Sequence, residues 1–97
     1  VVEKIMDPPE ILSIEADPLK VHLSGTIELR CIARDTNNDT LSYGWSAVAG
    51  GITANDELAT YTAPDQAGNY YITCVVSDTD LMMAMDSIEV MVRDLSV

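Results

Sequence analysis

Basic residues are scarce in this chain: five Lys and Arg stand against sixteen Asp and Glu, for a formal charge of −11. A polyanion would be repelled, and no Lys/Arg cluster interrupts the acidity, so nucleic acid is a poor partner. An anionic membrane surface is disfavoured for the same reason. No apolar run approaches the length of a bilayer span, so direct membrane insertion is not expected. Phenylalanine is missing and Trp45 is the single tryptophan, which leaves little aromatic surface for stacking on a sugar. His22 is the only histidine, and no Ser or Cys at a nucleophile-like turn lies near it. The chain holds no Gly-x-Ser-x-Gly, phosphate loop or Cys-x-x-Cys. An enzyme is not expected.

What is present describes strands. Apolar residues make up 47% of the 97 positions, enough for one folded domain and hardly a second. Helical periodicity is missing throughout. Leu12, Ile14 and Ala16 alternate in a first strand, which Asp17-Pro18 ends, and Lys20–Leu23 reads as a brief pairing segment. Thr26–Arg34 puts Ile27, Leu29, Cys31 and Ala33 on one face. Leu41, Tyr43 and Trp45 share a face of the next run, and Ile52-Thr53 forms a short strand after Gly50-Gly51. Leu58–Ala63 reads as an edge-like strand stopped by Pro64. Tyr70, Ile72, Cys74 and Val76 line another strand, and Ile88, Val90 and Val92 turn inward from the last. About seven strands, with turn signals every eight to twelve residues or so, predict an all-β, two-sheet antiparallel sandwich of the immunoglobulin-like kind. A sandwich this small offers no cleft to hold a sugar between two carboxylates, which argues against a glycosidase site.

Residues 1–8 are expected to be a linker or the end of a preceding module, 9–94 the sandwich, and 95–97 the start of a following linker. The chain opens on Val1 without Met or a visible signal peptide, so it reads as a piece of a longer protein. Cys31, Trp45 and Cys74 each stand four residues from a turn. If the turns at Asp35 and Asp78 share an end, both thiols and the indole fall at one height in the core. Two readings follow: a cross-sheet Cys31–Cys74 disulfide packed on Trp45, or two buried free thiols acting as small hydrophobes. The bridge is the favoured reading, and with it a secreted or cell-surface location.

With these residues placed, the chain resembles polycystic-kidney-disease-type (PKD) domains, a branch of the immunoglobulin-like sandwiches. Ala33–Trp45 is similar to the family's Asp-rich loop and Tyr-x-Trp strand. Tyr61-Thr-Ala-Pro64 carries the likeness further, and Ala67–Asp78 is similar to its Gly-x-Tyr strand ending in Ser-Asp. Two departures stand out: Tyr70 precedes Cys74 by four residues rather than the two of antibody domains, and Ala47–Gly51 replaces the family's Gly-Asp-Gly turn. The resemblance implies a non-catalytic spacer or adhesion module of a larger secreted or surface protein. Its partners would be neighbouring domains of the same chain, another surface protein or a polysaccharide.

Asp35, Asn37 and Asp39 follow the Cys31 strand, and Asp78 and Asp80 follow the Cys74 strand. Alternating Asp and Asn supply the hard oxygens that calcium takes, and the resemblance implies a calcium site near this loop. Asp and Asn are also ordinary turn residues that bond their own backbone, the plainer of the two readings. Leu81-Met82-Met83-Ala84-Met85 is unusually apolar for a hairpin tip; its side chains either fill the core or, with Leu81, Met82 and Met83 outward, make a contact patch beside an acidic rim. A carbohydrate-binding accessory domain of a secreted hydrolase is the alternative; with Trp45, Tyr43 and Tyr70 assigned to the core, it would rest on Tyr61 and Tyr71. Tyr70 is expected to be mostly buried, its hydroxyl bonded to backbone in the corner from Pro64 to Ala67. Asn38-Asp-Thr40 is a glycosylation sequon.

Overall fold

A computed structural model describes residues 8–35 and 40–95. Eight strands follow in order: β1 (Glu10–Asp17), β2 (Lys20–His22), β3 (Thr26–Arg34), β4 (Ser42–Ala47), β5 (Gly51–Asn55), β6 (Leu58–Thr62), β7 (Gly68–Ser77) and β8 (Met83–Arg93). They form two four-stranded sheets, ordered β1-β3-β6-β5 and β2-β8-β7-β4. The expected all-β sandwich is present. All pairings are antiparallel except that of β2 with the end of β8, where Lys20–His22 run parallel to Met91–Arg93.

Alternation explains most of what is buried. Ile27, Leu29 and Cys31 of β3 face Ile72, Cys74 and Val76 of β7 and Val90 and Val92 of β8, all between 0% and 2% exposed. Most of these residues, with Val21, Ala59, Tyr61 and Ala63, make the larger core cluster. A smaller one holds Cys31, Cys74 and Val76, ringed by partly buried Ile11, Ile14, Ala33, Leu41 and Tyr43. Trp45 packs against both. Tyr61 is fully buried, and its hydroxyl donates to the Ala49 carbonyl at 2.7 Å. Gly50, at φ 89°, permits that approach, since a Cβ there would strike the Thr62 carbonyl and the Tyr61 ring.

The structure corrects several expectations. The Leu58–Ala63 segment is not an edge: β6 lies between β3 and β5, and β5 is the edge strand. Thr60 and Thr62 gave it an edge-like polarity because they face solvent from the outer side of the sheet. Leu12 does not share the inner face with Ile14 and Ala16. A register shift between Ile11 and Ser13 reverses the alternation, so Ile11 packs inward and Leu12 is 51% exposed. Tyr61, a candidate for an exposed sugar contact, is core. Tyr70 makes the expected corner bond, donating to the Gln66 carbonyl at 2.9 Å, but its ring is only partly buried. The last strand begins at Met83, so the methionine-rich run is strand as well as loop.

Candidate functional site

Asp35 and Asp78 lie toward one end of the sandwich: Cys31 and Cys74 pack together in the core, and each aspartate follows its cysteine by four residues, just past the end of β3 and of β7. Both aspartates are buried, at 8% and 5% exposure. Asp78 builds its own turn. Its Oδ1 accepts the backbone N–H groups of Asp80 at 2.9 Å and Met82 at 3.0 Å. Its backbone N–H donates to the Met82 carbonyl, and its carbonyl accepts from Leu81. This is an Asx-type turn, the plainer use expected of Asp78. Asp78 Oδ2 is buried without a hydrogen-bond partner among the described residues. No three His, Cys, Asp or Glu side chains among the described residues are grouped to hold a metal ion. Asn37 and Asp39 of the expected calcium set, and the Asn38 sequon, lie outside the described residues.

The turn forces an apolar side chain outward. Leu81 takes φ 66°, a left-handed conformation that costs a branched residue, and is 79% exposed. Met82 is half-buried. Met83 and Met85 stand on the outer face of β8, 61% and 71% exposed. Beside them, Val75 of β7 faces Met85 across the ladder, and Gly44 of β4 faces Val75. The methionine run therefore supplies an outward apolar patch. Met85 lay in the segment singled out from the sequence but not in the expected patch, although its spacing from Met83 is the period-2 signal that puts both on one face.

Further along the same face the chemistry changes. Tyr71 is 54% exposed and hydrogen-bonds Glu89, its ladder partner, and this bond and the carboxylate charge hold the phenol above its usual range. The Thr73 and Ser87 hydroxyls bond at 3.1 Å, and Arg93 donates to the Asn69 side chain at 2.8 Å. This is a flat polar strip around one aromatic ring. No pocket opens in the described surface. His22 is exposed on β2, and its Nδ1 accepts the Leu95 N–H.

Beneath the patch lie the cysteines. Cys74 is the ladder partner of Trp45, and Cys31 and Cys74 pack in one buried cluster, each from its own sheet. The expected layer of two thiols and an indole is therefore present, with Trp45 Nε1 donating to the Asp56 carbonyl at 3.0 Å. Both cysteines are free thiols here, not the favoured disulfide. Burial pushes Cys31 up and Cys74 up to about 12, which disfavours the thiolate form of both.

Comparison with known proteins places this fold. No protein-family model matches the sequence, and no curated protein matches it. Among solved structures, the chain is similar to the PKD domain of an M14-like peptidase from a Thermoplasmatales archaeon, with TM-score 0.72 and 21% identity over 91% of this chain and 98% of that one. A nucleoside hydrolase-related protein from Saccharophagus degradans, associated with carbohydrate metabolism, is similar at TM-score 0.68 and 19% identity over 88% of this chain. A candidate α-galactosidase from Bacteroides fragilis is similar at TM-score 0.56 and 14% identity over 97% of this chain. The chain spans 25% and 19% of the lengths of these last two proteins. By fold, the chain is a two-sheet β-sandwich similar to that PKD domain.

Proposed function

We propose that this domain is a non-catalytic spacer and interaction module of a larger extracytoplasmic protein. The observation that carries the reading is the apolar patch of Leu81, Met83 and Met85. A turn organised by a buried aspartate holds Leu81 outward at a conformational cost, and exposed clustered apolar side chains serve contact more readily than folding. The lack of any pocket in the described surface and the high thiol pKa values support a role without catalysis. Two apposed thiols, ready to be bridged in an oxidising compartment, support the location.

A photocrosslinker at position 83 in the intact protein that carries this domain tests the reading. It is expected to capture a neighbouring module or a second surface protein, while the same group at Leu58 captures nothing. Equal silence at both positions overturns the reading.

Tyr71 favours a second reading, a carbohydrate-binding accessory domain. Its exposed ring lies among Asn69, Thr73, Ser87 and Glu89, groups suited to sugar hydroxyls. Sedimentation with insoluble polysaccharides decides it: retention that disappears in Tyr71→Ala replaces the first reading with the second.

A further inference from the structure

β8 has an unfinished edge. On one side it pairs with β7 along its whole length, but on the other β2 covers only Met91 to Arg93. The Met91 N–H donates to the Leu19 carbonyl, and the Leu23 N–H to the Arg93 carbonyl, so the backbone groups of Met91 and Arg93 point away from β7. Strand parity then aims those of Met83, Met85, Ser87 and Glu89 the same way, because the β7–β8 register runs without a shift. β1 lies against β8 but makes its ladder with β3. Among the described residues, Met83 to Glu89 therefore has no strand on that side.

Asp86 guards this edge. It faces Cys74 in the ladder, so its side chain leaves the inner face of the sheet, yet the residue is exposed because the sheet ends there. Its Oδ1 accepts the Ser87 N–H at 2.8 Å, covering one of the open donors with a charge. Inward-pointing charges of this kind discourage indiscriminate strand addition. A neutral or acidic strand would trap the Asp86 carboxylate against its backbone. A second copy fares no better: each carries −11, and a twofold pairing centred on Asp86 sets that carboxylate against itself.

We propose that the β8 edge from Met83 to Glu89 accepts an extended segment of another protein, one carrying a Lys or Arg that pairs with Asp86. The cation draws Asp86 off Ser87, the freed N–H joins the new ladder, and apolar residues on the strand's outer face cover Met83 and Met85. The inference rests on the contact reading above and names the partner's chemistry.

Two peptides test it: acetyl-Val-Thr-Val-Lys-Val-Thr-Val-amide, whose Lys and Val side chains fall on opposite faces of a strand, and the same sequence with Glu for Lys. Amide exchange followed by NMR is expected to show new protection at Met83, Met85, Ser87 and Glu89 with the Lys peptide. The Lys peptide is expected to bind roughly tenfold more tightly than the Glu peptide, the effect of one charge-assisted hydrogen bond. Asp86→Asn is expected to remove that preference. Met85→Pro, which deletes an edge N–H along with the Met85 side chain, is expected to abolish binding while the domain stays folded, whereas Met85→Ala, which keeps the N–H, is expected to retain the edge protection. Absent protection, equal binding of both peptides, or a preference that survives in Asp86→Asn overturns the inference; if Met85→Pro fails to fold, Asp86→Asn decides alone. Crosslinking from position 83 without edge protection leaves the contact reading standing and removes the strand; loss of both removes both.

Discussion

The two core clusters do different work. The larger one is closed: Ile27, Tyr61, Ile72, Val90 and Val92 are fully buried, and Tyr61 and Tyr70 each tie a phenol to a loop carbonyl. The smaller one, around Cys31, Cys74 and Val76, is ringed mostly by half-buried side chains. Next to it Leu81, Met83 and Met85 stand in solvent and Asp35 and Asp78 are buried. Apolar residues are inside where polar ones would be costly, and at the other end they stand outside where they would help a thin core. One end holds the fold, and the other carries the patch proposed above for contact.

The largest expected effect comes from breaking the closed end. Ile72→Ala should cost about 2–5 kcal/mol, since a fully buried side chain leaves a cavity. Chemical denaturation measures it, and a loss near zero would refute the division of labour. At the acidic end, Asp78→Ala removes the acceptor of two backbone N–H groups and should cost about 1–3 kcal/mol. Asp78→Asn, which keeps one acceptor oxygen, should recover part of that loss in the same assay. Tyr70→Phe removes a single bond to Gln66 and should cost about 1 kcal/mol, less than the core variant. An unchanged melting curve would count against the corner.

The thiols sharpen the comparison by pH. Their raised values mean that the unfolded chain releases these protons first as pH rises. Stability is therefore fully present below the ordinary thiol value of 9.0 and falls as pH climbs toward the folded Cys74 value of about 12. Oxidation to a Cys31–Cys74 disulfide should remove this thiol contribution to the alkaline loss and raise the midpoint. Thiol alkylation of unreduced protein, followed by mass spectrometry, reports which form is present. The smallest effect is expected from calcium: equal melting midpoints in EDTA and in calcium at matched ionic strength fit an Asp78 that serves its turn, whereas a selective rise would assign the acidic end an ion.

The legible parts of this chain were those fixed locally. Cys31, Trp45 and Cys74 could be put in one layer because each lies on an alternating run at a set distance from a turn, and their height follows from counting. The Leu12 inversion was not legible, because one extra residue near Ile11 flips the strand without changing its composition. Nor was the central place of β6, whose outward threonines look the same on an edge or between two strands. The open edge of β8 exists only because β2 is three residues long, a property of sheet assembly rather than of β8. Met83 and Met85 were readable as alternating, but whether their face met a second sheet or solvent depended on the other strands.

The most direct test of the division of labour is thermal unfolding of the triple variant Leu81→Ser, Met83→Ser and Met85→Ser beside Ile72→Ala. The account predicts that the triple variant melts within about 0.5 kcal/mol per site of the parent, as exposed substitutions do, while Ile72→Ala falls well below it. A triple variant as destabilised as Ile72→Ala would contradict it, because those three side chains would then belong to the core.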